Sequence, residues 1–246
     1  MNKPIFQTLM LVSAILLIVV TVMEPAIAGP GGKIASAMFQ TFWGKVLLVF
    51  LTILFLPLIL YTLLREYLAH RRTLKDLRKL SKVNKQFDWL TVRDRITDCF
   101  YRVHAAWHKE EMAEASEWMT DWYWKNQQLV YLDQWAKDGL INHCRVKKIT
   151  DIKPLFLAYR GNEQNAEGSR IVVSITANME DYLAKRDTGK VVEGKKGYQE
   201  VETVWTFVLE KDQWLVANIE EDSLSLTYAK LANELPAYTN EYELQT

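Results

Sequence analysis

The feature that most constrains this chain is an uninterrupted run of 19 uncharged, mostly aliphatic residues, Val46 to Leu64. At a rise of about 1.5 Å per residue, a helix of this length nearly crosses the hydrocarbon core of a bilayer. Trp43 and Tyr61 lie near its ends, where amphipathic rings favour the membrane interface. Pro57 is compatible with this interpretation, because a membrane helix can absorb one kink. The sequence therefore predicts a transmembrane helix over residues 42–64.

A second apolar stretch lies at the N-terminus. Lys3 is followed by an uncharged run from Pro4 to Met23, and small residues close the segment up to Ala28. One positive charge, an apolar centre and small residues are typical of a secretory signal peptide, here cleaved after Ala28. The run is also almost long enough to span a bilayer. Residues 1–28 are therefore a signal peptide, which the pattern favours, or an uncleaved first membrane helix, and residues 29–41 form a short loop.

The formal net charge of zero hides a strong asymmetry along the chain. Residues 65–86 carry eight Lys or Arg against two acidic residues, whereas residues 87–246 carry 19 basic and 27 acidic residues. Loops next to a membrane helix are enriched in basic residues on the cytoplasmic side. The C-terminal domain is therefore predicted to be cytoplasmic, and the protein single-pass once residues 1–28 are cleaved.

The basic segment 65–86 is predicted to form a juxtamembrane helix, with leucines roughly on one side and basic residues around the rest. Such a helix suits anionic lipid, at about 1 kcal/mol for each basic residue near the surface. The alternative is a topology signal on a solvated spacer. RNA or ribosome contact is a weaker alternative, because a basic stripe is non-specific, and DNA is not an expected partner. The candidate lipid-contacting residues are Arg71, Arg72, Lys75, Arg78, Lys79 and Lys82.

The rest of the chain begins with helical periodicity. An apolar stripe from Trp89 to Trp107 repeats at three and four residues and predicts one helix. Shorter helices are expected over 110–118 and 119–138, where Gly139 is a plausible C-terminal cap.

After Gly139 the hydrophobic period changes to two, which predicts antiparallel strands. The expected strands cover about 141–159, 171–179, 201–209 and 214–219, with a polar loop at 189–197 between the second and third. Helices followed by strands predict an α+β domain over residues 87–224, in which helices pack on one face of a curved antiparallel sheet. Residues 225–246 are assigned to a C-terminal tail.

Aromatic residues are concentrated in this domain, which holds every tryptophan except Trp43. A curved sheet wrapped by helices forms a cone, and its open end can be a pocket. For any single aromatic residue the alternative is that it fills the core. The candidate pocket residues are Phe100, Trp107, Trp118, Trp122, Trp205, Phe207 and Trp214.

Several classes of chemistry find little support in the sequence. Two cysteines, four unclustered histidines and the absence of a glycine-rich phosphate loop give no reason to expect a disulfide scaffold, a metal centre or a nucleotide cofactor. We therefore expect no cofactor. An enzyme would need an acid or base in the pocket, and the candidates are His104, Asp98, Asp121 and Asp181. A metal at His108 and Glu111 would need further ligands.

Several short runs resemble a known family. Residues 87–90 (Phe-Asp-Trp-Leu) and 99–107 resemble the opening helix of the Tim44-like domain, the C-terminal domain of the mitochondrial inner-membrane protein that tethers the import motor. Residues 175–177 with 181–182, and residues 202–208 followed by Trp214, are similar to its strands. The resemblance covers about residues 87–220.

This resemblance implies a nuclear-transport-factor-two-like cone, an apolar pocket and peripheral binding to anionic inner-membrane lipid. Bacterial members carry an N-terminal membrane segment like this one, which implies the bacterial inner membrane as the location. The chain lacks a mitochondrial presequence and the long charged region that contacts the motor, so an import-motor role is not carried over.

Taken together, the sequence predicts a membrane-anchored, non-catalytic binding or scaffold module. It would contact anionic lipid and present an apolar pocket to a lipid or protein segment. Its membrane or peripheral protein partner is unknown. The alternative is a small cone-fold enzyme, of the isomerase or dehydratase type, tethered to the membrane.

Overall fold

A computed structural model describes residues 41–161 and 165–236 of the chain. The predicted signal peptide or first helix, nearly all of the loop that follows it, and the end of the tail lie outside the described residues. The chain divides into two units between Leu63 and Leu64, and the folded domain belongs to the second.

The predicted membrane helix and most of the predicted basic helix form one continuous helix, α1, Phe42–Leu80. The basic helix predicted over 65–86 ends six residues early, at Leu80, and a turn and a short 3₁₀ segment, Lys85–Phe87, follow it. Among the described residues, α1 is the one helix long and apolar enough to cross a membrane, and no part of its apolar window is buried. Pro57 lies inside α1 without ending it. The apolar run and the basic segment were predicted as separate helices because their compositions differ. No helix-breaking residue lies at the junction between them, so one helix continues through both.

Two further groups of helices follow. Helix α2, Trp89–Lys109, begins at Asp88, whose Oδ2 accepts a hydrogen bond from the backbone N–H of Thr91 at 3.2 Å. It ends at Glu110, which adopts a left-handed conformation. A short 3₁₀ turn, Met112–Ala115, stands where a second helix was predicted.

The predicted helix over 119–138 is present in three parts. Helix α3, Asp121–Gln127, passes into a π turn, Gln128–Leu132, and then into helix α4, Asp133–Lys137. Gly139, with φ of +68°, follows as predicted. A π turn inserts one extra residue into a helix, so side chains beyond it face a different direction from that of an unbroken α-helix.

Four antiparallel strands form one sheet in the order β1-β2-β3-β4. The register between neighbours shifts at several points, and such bulges bend and twist a sheet. The strands are β1 (Leu140–Ala158), β2 (Arg170–Lys185), β3 (Val191–Glu210) and β4 (Gln213–Glu221). Helix α5, Ser225–Lys230, follows the sheet.

The polar loop predicted at 189–197 is wrong for most of its length, because β3 already begins at Val191. Gly194 has φ of +75°, and a Cβ there would lie 2.5 Å from the backbone oxygen of Asp181. The glycine therefore permits a close, irregular approach of β3 to β2. Its neighbours are exposed and charged, which removed the alternating pattern that identifies a strand from sequence.

The main core lies between α2 and one face of the sheet. Buried α2 residues at helical spacing, from Val92 to Ala106, pack against buried strand residues such as Ile175, Trp205 and Phe207. A smaller cluster, with Phe156 and Val172, has Tyr228 of α5 packed against it. The predicted α+β class, with helices on an antiparallel sheet, is confirmed.

Candidate functional site

A half-open cavity of about 440 Å³ in the domain is lined by α2, the α3–α4 segment and all four strands. We call it the interior cavity. Its volume falls in the range of small-molecule sites. The lining residues are Val103, His104, Trp107, Tyr123, Gln127, Tyr131, Trp135, Asn142, Cys144, Asp181, Thr203, Ile219, Glu220 and Glu221.

Three aromatic rings form one wall of the interior cavity. The ring centroids of Trp107, Tyr131 and Trp135 lie 5.6–6.1 Å from one another, with the planes tilted by 48–59°. Gln127, Tyr131 and Trp135 follow one another at intervals of four residues, the spacing that places side chains on one side of a helical segment. We call these three rings the aromatic wall.

Two buried amides face the interior cavity without a protein partner. The side chains of Gln127 and Asn142 lie in residues that are 7% and 5% exposed. Within residues 41–161 and 165–236, neither side-chain amide hydrogen-bonds to a protein group. Buried amides are almost always hydrogen-bonded. Since no described residue pairs with them, water or a ligand in the cavity can supply their hydrogen bonds.

His104 lies at one edge of the interior cavity in a fixed tautomer. Its Nδ1 lies 2.8 Å from the carbonyl oxygen of Phe100, so Nδ1 donates the hydrogen bond and Nε2 keeps its lone pair. The ring packs against those of Phe100 and Trp205, at 4.1 and 5.5 Å between centroids. Burial lowers the pKa of His104 to about 4. His104 is therefore neutral at pH 7 and offers a hydrogen-bond acceptor.

Carboxylates give the interior cavity a negative character. The Asp181 side chain is in part accessible to solvent. Its pKa is raised, first because the surrounding protein removes water from the carboxylate and second because the Glu193 carboxylate lies nearby. Glu221 lies next to Thr203 across the β3–β4 pair. Glu220 differs, because its Oε2 accepts a hydrogen bond from the Tyr228 hydroxyl at 2.8 Å. Of the described residues, no Lys or Arg lines the cavity.

The two cysteines are unreactive in this setting. Burial raises the pKa of the Cys99 thiol to about 12 and also raises the pKa of Cys144, which lines the interior cavity. A thiol becomes a nucleophile as its thiolate. Both cysteines therefore remain protonated at neutral pH.

Only one of the predicted pocket residues, Trp107, lines the interior cavity. Trp118 donates from Nε1 to Asp98 at 2.5 Å and lies under the guanidinium of Arg102. Trp122 is 69% exposed on the surface of α3. The others, Phe100, Trp205, Phe207 and Trp214, are buried in the core.

Sequence reasoning missed Tyr131, Gln127 and Asn142 as cavity residues. Tyr131 lies four residues before Trp135, which is the spacing of one helix face, but that spacing does not show whether the face meets a core or a cavity. The amide side chains of Gln127 and Asn142 are polar and do not contribute to the hydrophobic periodicity from which buried positions were predicted. Of the candidate acid–base residues, the structure brings His104 and Asp181 to the cavity, whereas Asp98 and Asp121 bind Trp118 and Lys125.

The basic part of α1 has one buried side and one exposed side. Ala69, Thr73, Leu77 and Leu80 are buried. Thr73 donates to the backbone oxygen of Leu155 at 3.2 Å. This side belongs to the folded domain and is not a solvated spacer.

The opposite side carries basic residues at helical spacing. Arg71, Lys75 and Arg78 are exposed on this side of α1, and the exposed Lys82 follows in the turn directly after the helix; we call these four residues the basic stripe. Arg72 points elsewhere, because its Nη2 donates to the backbone oxygen of Leu231 at 2.5 Å. Lys79 is half-buried.

The chain was compared with known families, curated proteins and solved structures. A family described as the Tim44-like domain matches residues 74–221. No curated protein matches. Among solved structures, the intermembrane space region of the chloroplast protein ARC6 is similar, with 11% identity, a TM-score of 0.39, and coverage of 54% of this chain and 95% of that one.

Proposed function

This chain belongs to the Tim44-like domain family, and on that premise we propose that it is a membrane-anchored, non-catalytic binding module of the bacterial inner membrane. The observation that carries the proposal is the continuity of α1, in which the apolar run and three residues of the basic stripe, Arg71, Lys75 and Arg78, belong to one helix. The folded domain would face the cytoplasm, and its protein partner would be a membrane or peripheral protein.

We assign anionic lipid to the basic stripe. Three of its side chains lie on the exposed side of α1, Lys82 is exposed in the turn that follows, and the segment comes after the apolar run in sequence. Each basic residue close to an anionic surface contributes about 1 kcal/mol. Arg72 and Lys79, which the sequence also offered for this role, are less suited because they are partly buried.

We assign a lipid or protein segment with an apolar part to the interior cavity. The aromatic wall supplies apolar surface, and the volume of about 440 Å³ can accept a side chain or part of an acyl chain. Anionic head groups fit poorly there because of the carboxylates. The module would therefore hold anionic lipid and its cavity ligand at separate places.

A tethered enzyme is the second candidate, because His104 and Asp181 line the same cavity. General acid–base catalysis is efficient when the pKa of the group lies near the working pH. Burial lowers the pKa of His104 to about 4, and in the described part of the chain no hydrogen bond joins it to Asp181. These features favour binding over catalysis.

A vesicle experiment tests the lipid assignment. A fragment of residues 64–246, first checked for folding by circular dichroism, should sediment with vesicles that contain phosphatidylglycerol. Replacing the basic stripe with glutamine at all four positions should lower the affinity by roughly a thousandfold, at about 1 kcal/mol per residue. Added salt should release the fragment, because exposed charges are screened beyond about 8 Å at physiological ionic strength.

The matched control replaces four other exposed lysines with glutamine, at Lys185, Lys190, Lys195 and Lys211. This variant has the same net charge as the basic-stripe variant, so it separates a local contact from general attraction. Equal losses in the two variants, or equal binding to phosphatidylcholine vesicles, would reject the lipid assignment.

A reporter experiment tests the orientation. A reporter fused after Thr246 should be active when it requires the cytoplasm and silent when it requires the periplasm, because basic residues follow the span far more densely than they precede it. Alkaline phosphatase and green fluorescent protein fusions give the two readings. Activity of the phosphatase alone would overturn the cytoplasmic orientation.

A further inference from the structure

We propose that the interior cavity recognises an organic ammonium cation, such as a choline-like group, through its carboxylates and its aromatic wall. The inference rests on the proposed function only in that both assign a ligand to this cavity. It goes further by naming the charge and the chemistry of the group that is bound.

The charged side chains that line the interior cavity are carboxylates. Asp181 and Glu221 line the cavity, and within the described ranges neither forms an ion pair. Lys195 lies opposite Asp181 in the register of β2 and β3, but no ion pair joins their side chains among the described residues. A further acidic neighbour, Glu193, adds repulsion at Asp181. A site with uncompensated negative charge and no lining Lys or Arg favours a cation over a phosphate or a carboxylate.

The aromatic wall is suited to bind a cation. Indole and phenol faces attract cations through the ring quadrupole, and a desolvated ammonium group gains most from several faces together. Trp107, Tyr131 and Trp135 present three rings at one place, tilted by 48–59° to one another. Because an alkylated ammonium is weakly hydrated, it loses little on leaving water for such a wall.

Two buried side-chain amides also line the cavity. Gln127 and Asn142 are more than nine-tenths buried and lie at the cavity without a partner in the described part of the protein. An oily ligand would leave both amides unsatisfied, which is costly. A ligand that carries a hydroxyl or carbonyl group beside its ammonium can satisfy them. Choline, with a hydroxyl two carbons from its nitrogen, has this combination.

The test compares two probes of nearly the same shape. Choline and 3,3-dimethylbutan-1-ol differ in that a quaternary nitrogen replaces a carbon, so the alcohol lacks only the charge. Each is titrated against the full chain in dodecyl maltoside, with saturation-transfer NMR as the readout of binding. We expect choline to bind at least about tenfold more tightly than the alcohol.

Variants identify the groups responsible. Asp181→Asn should weaken choline binding about tenfold and leave the alcohol unaffected, whereas Glu117→Gln, at an exposed carboxylate outside the cavity, should change neither. Tyr131→Leu should weaken choline binding several-fold, and Trp122→Leu, at an exposed ring outside the cavity, should not. Circular dichroism of each variant checks that the fold is kept.

Equal binding of choline and the alcohol would overturn the ammonium inference and leave an apolar cavity ligand in place. Absence of binding by both probes would overturn it as well, together with the cavity part of the proposed function. The lipid assignment is measured separately on vesicles and survives either result. Choline binding that persists unchanged in both Asp181→Asn and Tyr131→Leu would overturn the assignment to this cavity.

Discussion

Trp205→Ala is expected to lower the free energy of unfolding of the domain by about 3–5 kcal/mol, the usual cost of truncating a large buried aromatic residue. Trp205 has no exposed surface. Its ring lies 5.0 Å from that of Phe100 and 6.1 Å from that of Phe207, and its Nε1 donates to Thr203 Oγ1 at 2.8 Å. Truncation would leave a void that close-packed neighbours can fill only in part.

Urea unfolding of the 64–246 fragment, followed by circular dichroism, measures this loss. The control is Trp122→Ala, because Trp122 is 69% exposed and its replacement should change the free energy of unfolding by no more than about 0.5 kcal/mol. A cost for Trp205→Ala as small as that for Trp122→Ala would mean that Trp205 lines open space rather than filling the core.

A second large effect is expected in the pH dependence of stability, through His104. Burial lowers the pKa of its ring to about 4, from about 6.5 in an unfolded chain. Between these values the unfolded state binds a proton that the folded state excludes, so stability falls as pH decreases. The full difference corresponds to about 3 kcal/mol, which is an upper limit because the ring borders the cavity and is only partly covered.

His104→Asn removes this titration while its side-chain amide can still donate to the Phe100 carbonyl oxygen. Urea unfolding at intervals from pH 7 to pH 4 should therefore show a shallower loss of stability in the variant than in the parent. His108 also has a lowered pKa, mainly through burial, but it is present in both proteins and cancels in the comparison. Parallel pH profiles would contradict a buried, neutral His104.

Much of the fold could be predicted because its patterns are local. The stripe from Trp89 to Trp107 repeats at helical spacing, and its buried members form one side of α2. Alternation along 171–179 identifies β2 for the same reason, since one side of that strand meets the core. The start of β3 was missed, because residues near Gly194 face solvent and carry no alternation.

The candidate site was less predictable, because an apolar stripe indicates that a side chain is covered without indicating what covers it. Trp107 and Trp205 are equally apolar in sequence, yet Trp107 borders the interior cavity and Trp205 fills the core. Tyr131 lies in a π turn and lines the cavity. Gln127 and Asn142 are polar residues whose burial depends on contacts between distant segments.

The sequence by itself determined a helix long and apolar enough to cross a membrane, the excess of positive charge after it, the order of helices and strands, and the family resemblance, because each depends on the types and spacing of nearby residues. The tertiary structure alone decided which basic residues of α1 face outward. Arg71 is exposed, whereas Arg72 donates to the backbone of Leu231, 159 residues further along the chain. It also decided that Asp181, Gln127 and Tyr131 meet at one cavity, because that meeting depends on strand bulges and on packing between distant segments.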